Sequence, residues 1–174
     1  MKRKIVLSML AGALLFAPIL PVANAATYTN GTTSAAFTVS LTLLANCHIT
    51  ATPLDFGSGG AAGSAIDQQT TLAVTCTDTT PYNVGLDGGT ATGSTVGARL
   101  LAGTGTGNTD KTVNFQLYQD AGRTVAWGNT QGTDTLEGIG NGSAQSFTVY
   151  GRVPVQALPV PDTYQTTVTA TVYF

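Results

Sequence analysis

Leu72-Ala73-Val74-Thr75-Cys76 and, a few residues on, Tyr82-Asn83-Val84-Gly85-Leu86-Asp87-Gly88-Gly89 form the stretch that decides the fold. Leu72, Val74 and Cys76 alternate with Ala73 and Thr75. Tyr82, Val84 and Leu86 keep the same period until Asp87-Gly88-Gly89 ends it as a turn. A period of two places one set of side chains on one face of an extended strand. Short alternating runs broken by turn residues are the pattern of an all-β protein.

The pattern continues outward in both directions. Val113, Phe115 and Leu117 alternate with Asn114 and Gln116, and Phe147 and Val149 belong to a further run. Pro154 should end that run or confine it to an edge, since proline cannot donate to a ladder. Val168, Ala170, Val172 and Phe174 share one face of a last strand over 164–174. Toward the N-terminus, Phe37, Val39, Leu41 and Leu43 alternate with Thr38, Ser40 and Thr42. Helical periodicity is hard to find after residue 25. Residues 57–64, 103–110 and 128–143 are rich in Gly, Ser, Ala and Thr and read as exposed loops. The last of these has only Leu136 and Ile139 as apolar anchors. With no internal repeat, one antiparallel β-sandwich domain of about seven strands is the economical reading.

The first residues address the chain for export. Lys2, Arg3 and Lys4 precede an apolar run from Ile5 to about Leu20, and Ala23-Asn24-Ala25 supplies a small-x-small cleavage pattern. The run is shorter than the roughly 20 residues of a comfortable membrane span. Residues 1–25 therefore read as a signal peptide cut after Ala25, rather than an uncleaved anchor. No later stretch could span a membrane. In the remaining 149 residues, Arg99, Lys111, Arg123 and Arg152 face nine acidic residues, a net charge of −5. That balance argues against nucleic acid or an anionic membrane as partner. Only 9% of the chain is charged, so its surface is weakly protected against self-association, a liability for a monomer and tolerable in a polymer subunit. Cys47 and Cys76 are the two cysteines; in an oxidising compartment an even pair reads as one disulfide, since no close Cys-x-x-Cys spacing suggests a redox pair.

Chemistry is sparse. His48 is the sole histidine, beside Cys47, and no Gly-x-Ser-x-Gly nucleophile motif accompanies it. Glu137 is the sole glutamate, in loop-like surroundings, so nothing points to a carboxylate pair. Asp87-Gly88-Gly89 and Gly107-Asn108-Thr109-Asp110 lack the ligand density of a calcium loop and are better explained as turns. Trp127, the lone tryptophan, reads as a core or corner residue before a sugar-stacking one. The expectation is a non-enzymatic protein without cofactor or metal.

The order of landmarks resembles the spore coat protein U domain, which is also the pilin domain of archaic chaperone–usher pili. It runs through Cys47-His48-Ile49, Leu54-Asp55-Phe56-Gly57, Leu72-Ala73-Val74-Thr75-Cys76, Pro81-Tyr82-Asn83-Val84 and Gly88-Gly89. Arg99-Leu100, Phe115-Gln116-Leu117-Tyr118 and Trp127-Gly128 follow. Val149-Tyr150-Gly151-Arg152-Val153-Pro154 and Tyr164-x-x-Thr167-Val168-Thr169-Ala170-Thr171-Val172 complete it. Each piece is weak alone, and their order is fairly specific. One departure is Asp162, where the family usually has glycine two residues ahead of the last strand's tyrosine.

The resemblance implies an immunoglobulin-like sandwich lacking its final strand, with a 26–44 extension and a 45–174 domain. In the family a neighbouring subunit's N-terminal segment fills the resulting groove, and before assembly a periplasmic chaperone fills it; an outer-membrane usher completes the route to the cell surface. By position, Phe37, Val39, Leu41 and Leu43 are then the donor side chains, and Val168, Ala170, Val172 and Phe174 are candidates for the acceptor groove. The residues alone leave a second possibility open, because residues 37–43 also suit the first strand of a sandwich complete in itself. The implied function is a structural pilus or coat subunit supporting surface adhesion or biofilm. The alternatives are a coat protein that does not polymerise and a surface-binding adhesin.

Overall fold

The computed structural model describes residues 30–59, 63–157 and 159–174. The expected signal peptide and the start of the extension, residues 26–29, lie outside the described residues. The chain divides into two units at Leu41 and Thr42. Of the first, residues 30–41 are described; they are exposed and belong to no strand.

The second unit is all β, with no helix among the described residues. Its strands are β1 (Cys47–Ala51), β2 (Ile66–Cys76), β3 (Pro81–Leu86), β4 (Arg99–Gly103), β5 (Thr112–Tyr118), β6 (Leu136–Ile139), β7 (Ala144–Val153), β8 (Tyr164–Gln165) and β9 (Ala170–Tyr173). They form a six-stranded sheet in the order β1-β2-β7-β5-β4-β8 and a three-stranded sheet in the order β6-β3-β9. Every pairing is antiparallel.

The alternating residues of the sequence make the core between the sheets. Leu72, Val74 and Cys76 of β2, Val113, Phe115 and Leu117 of β5, and Val149 of β7 pack with Tyr82, Val84 and Leu86 of β3. Each such side chain taken from water contributes about 1.5–3 kcal/mol. Trp127 closes one part of the core and is wholly buried; its indole N–H donates to the carbonyl of Val84 at 2.8 Å. The Cys47–Cys76 disulfide joins residues that stand opposite one another in the β1–β2 ladder.

One buried polar group ties the two sheets. Arg99, on β4, is fully buried and donates to the carbonyls of Asp87 (2.9 Å), Leu86 (2.8 Å), Trp127 (2.7 Å) and Val96 (3.2 Å), and to the Gln116 side chain. A buried cation is tolerated only when its donors are met, and here they are. Burial pushes its pKa down to about 10, against the pull of Asp87 and Asp134, so it stays charged at neutral pH.

The structure has nine strands among the described residues where the sequence pattern suggests about seven, residues 37–43 form none of them, and two further segments differ in an instructive way. Residues 128–143 read as a loop, yet they contain β6, paired with β3 from Val84↔Leu136 to Pro81↔Ile139. The misleading residue is Gly138: a Cβ there would collide with the Tyr82 ring, so the glycine makes room for a core aromatic rather than for a turn. The single last strand is paired at two separate places. β8 pairs with β4 in the large sheet and β9 with β3 in the small one. Between them, side chains supply half of the bonding: the carbonyls of Thr169 and Thr167 accept from backbone N–H groups, while Thr169 N–H donates to Asp87 Oδ1 (2.9 Å) and Thr167 N–H to Thr90 Oγ1 (3.2 Å).

Candidate functional site

The large sheet ends at β1, and the small sheet ends at β9; the two edges come within 8 Å of one another between Cα atoms without pairing. Their backbone directions follow from period two. Asn46 and Thr52 bond toward β2, through Thr77 N–H to Asn46 O (2.9 Å) and Thr52 N–H to Thr71 O (3.0 Å). Cys47, Ile49 and Ala51 therefore direct their N–H and C=O groups to the open side. On the last strand, Thr167 and Thr169 accept from Thr90 N–H and Asp87 N–H, both at 3.1 Å. Val168 and Ala170 consequently face the other way, and the N–H and C=O of Val168 have no hydrogen-bond partner among the described residues.

A groove of about 410 Å³ opens where these edges diverge. One wall is Ala51, Thr52, Pro53 and Leu54; the other is Thr166, Thr167, Val168 and Ala170. Its floor is the core itself, with Leu72 and Val149 on one side and Leu86, Leu101, Phe115 and Leu117 on the other. The first wall is pinned by Thr70, whose hydroxyl donates to the carbonyls of Thr52 (2.8 Å) and Pro53 (3.1 Å). Leu54 and Phe56 beyond it lie over Gly151, where a Cβ would come within 2.6 Å of Leu54 Cδ2 and 2.9 Å of Phe56 Cζ. Among the described residues the arrangement leaves backbone unpaired on two edges above an apolar floor. Chemically it suits an extended strand with apolar side chains on one face.

Of the residues read as groove lining, Val168 and Ala170 border it. Val172 pairs with Val84 and packs against the core next to it. Phe174 lies past the end of β9 and is 60% exposed. Phe37, Val39, Leu41 and Leu43 are 85%, 82%, 83% and 82% exposed and in no strand. Leu44, out of phase with them, is exposed too. The wall at Ala51 to Leu54 was not anticipated, although Pro53 is the kind of residue that marks an edge. All the floor residues except Leu101 were legible from alternation as core, but their opening onto a groove depends on which strands sit at the two edges.

Other polar candidates are engaged in structure. Asp87 Oδ1 accepts from the N–H groups of Gly89 (2.9 Å) and Thr169. Asp110 pairs with Lys111, whose hydrogen bond holds its carboxyl below the ordinary range. His48 projects from β1 into solvent. Among the described residues no group of three or more His, Cys, Asp or Glu side chains converges.

The fold is a two-sheet antiparallel sandwich with an open seam between two of its edge strands, and the comparisons name the family that shares it. The profile of the Spore Coat Protein U domain matches residues 33–171, and the chain belongs to that family. It is similar to Protein U of Myxococcus xanthus, 37% identical over 105 residues, which cover 59% of this chain and 58% of that protein. The match therefore spans a little over half the length of that relative. Among solved structures it resembles a chain of the CsuC–CsuE chaperone–tip adhesion subunit pre-assembly complex from the archaic chaperone–usher Csu pili of Acinetobacter baumannii. The TM-score is 0.54 at 24% identity, covering 76% of this chain and 40% of that one, a likeness of fold.

Proposed function

We propose that this chain is an exported structural subunit of a surface pilus or coat, joined to its neighbours by donation of residues 37–43 into the groove beside β9. The observation that carries the reading is the apolar groove between two edges that are unpaired among the described residues, in a chain whose alternating Phe37, Val39, Leu41 and Leu43 are exposed. Burying those four side chains is worth about 6–12 kcal/mol before ordering costs. Each main-chain bond to an open edge adds about 0.5–1.5 kcal/mol. A strand that must leave as a unit makes a slow-dissociating joint.

Family membership supports the reading, as does likeness of fold to a chain from a chaperone–subunit complex. Before assembly the groove would need a temporary occupant, and a periplasmic chaperone supplying a strand fits it; an outer-membrane usher would then export the polymer. The groove calls for no cofactor, and the negative balance of charge favours a protein partner over nucleic acid. Adhesion and biofilm support follow for a filament on the cell surface.

The test is gel electrophoresis of the exported protein, heated and unheated, for the full chain and for a variant lacking residues 26–44. A detergent-resistant ladder that collapses on heating and is lost in the deletion is the expected result. A single unheated monomer band for the full chain, with the deletion unfolded, would instead mean that residues 37–43 complete their own domain. The non-polymerising coat protein would then be the better reading.

A further inference from the structure

Cys47 sits where two lines of load would meet, and we infer that its disulfide bolts the subunit joints into the body of the sandwich, an inference that rests on the donor-strand reading above. Leu43 is followed by Leu44, Ala45, Asn46 and then Cys47, the first residue of β1. Tension on a donated segment would therefore enter its own subunit at Asn46 and Cys47. The same β1 runs on into the wall of the groove at Ala51 to Leu54, where the next subunit's segment would be held. Incoming and outgoing loads thus converge on one strand.

That strand is poorly placed to bear them. Among the described residues β1 is an edge strand with one ladder, to β2, running from Cys47↔Cys76 to Ala51↔Leu72. A short edge ladder pulled at its end can yield one hydrogen bond at a time. β2 is different: it lies inside the sheet, matched to β7 from Ile66↔Val153 to Thr75↔Ala144. The disulfide links the loaded end of β1 directly to the end of β2.

The receiving end is a packed node. Cys76 is buried, and its carbonyl accepts from Gly142 N–H at 3.1 Å. Thr77, next in the chain, holds Asn46 twice: its N–H donates to Asn46 O and its hydroxyl accepts from Asn46 N–H, both at 2.9 Å. Gly140 N–H donates to Thr80 O (2.7 Å) and Gly140 O accepts from Thr79 N–H (2.9 Å). A Cβ on Gly140 would collide with the carbonyl of Thr77, so the two turns leave no slack. Load entering at Cys47 passes covalently into this node and so into the β2–β7 pair, bypassing the β1 ladder. Reduction should accordingly release β1 and the joint first, with the rest of the sandwich intact.

The experiment reduces preassembled polymer of the full exported chain with dithiothreitol, with thiol titration showing both cysteines free. Two quantities are read: the temperature at which the unheated ladder collapses, and amide exchange in β1 and β7. The expected result is collapse at a lower temperature after reduction, with β1 amides exchanging while those of β7 stay protected. A fully reduced polymer with an unchanged collapse temperature overturns the inference. So does simultaneous loss of protection in β1 and β7, which would make the disulfide a general stabiliser. An oxidised chain that forms no ladder overturns the polymer reading and this inference with it.

Discussion

Residues 37–43 and strand β5 carry the same pattern and meet opposite fates. Val113, Phe115 and Leu117 are buried between two sheets, whereas Phe37, Val39, Leu41 and Leu43 stand in solvent. Period two states which side chains travel together on one face and is silent about what that face meets. For β5 the partner is supplied by the same chain, with β4 and β7 on its flanks and β3 opposite. For residues 37–43 no such partner is seen among the described residues, and under the proposed donor exchange it comes from another copy.

The comparison is broken most severely from the β5 side by removing what locks the two sheets around it. Arg99→Ala would orphan the buried carbonyls of Leu86 and Trp127 and leave a cavity. At about 1–3 kcal/mol per unpaired buried group plus the cavity, the loss approaches the whole stability of a domain. Export of folded subunit should fail, as read by yield and near-UV circular dichroism.

A matched pair of substitutions sharpens the contrast. Phe115→Ala should cost about 3–5 kcal/mol in the chemical denaturation of chaperone-free polymer or subunit. Phe37→Ala, at an exposed position, should stay within about 0.5 kcal/mol for the isolated subunit. It should nonetheless lower the temperature at which the ladder collapses. Equal losses of subunit stability in both variants would mean that residues 37–43 are part of their own core.

Leu41→Asp separates assembly from folding. The charged side chain should abolish the ladder, while subunit still accumulates in complex with chaperone, measured by co-purification from the periplasm. Normal polymerisation of that variant would remove residues 37–43 from the joint.

The smallest effect lies on the outer face, away from both regions. Asp67 accepts from Arg152 Nε at 2.6 Å and lies 3.3 Å from Arg123 Nε. The hydrogen bond from Arg152, with help from the charges of both arginines, holds its carboxyl below the ordinary value of 3.8. A depressed acid stabilises the fold above that value and loses its contribution as pH falls through its lower folded pKa. Asp67→Asn should thus lower the melting temperature slightly at neutral pH, with the difference from wild type fading in strong acid. The pair is exposed, so the shift should be small.

Much of this fold was legible because alternation and turn residues were both present, as in Leu72 to Gly89. β6 was hidden because Gly138 serves the Tyr82 ring, and composition cannot tell a glycine that makes space from one that makes a turn. The split of the last strand into β8 and β9 was hidden as well, since it depends on Asp87 and Thr90 standing in for backbone partners distant in sequence. Of the four residues that share the last strand's face, Val168 and Ala170 border the groove while Val172 and Phe174 do not, a difference that the shared period cannot express. The opposite wall at Ala51 to Leu54 required knowing that β1 lies at an edge, which is a property of topology and not of any local pattern.

The most direct test is a crosslink between the two regions. Leu41→Cys and Val168→Cys are introduced into the full chain, and the exported protein is oxidised and run fully heated under non-reducing conditions. Donation between copies predicts covalent multimers that need both new cysteines and disappear on reduction. A heated product that stays monomeric, with the new cysteines 41 and 168 joined within one chain by peptide mapping, would contradict it and return the strand to its own domain.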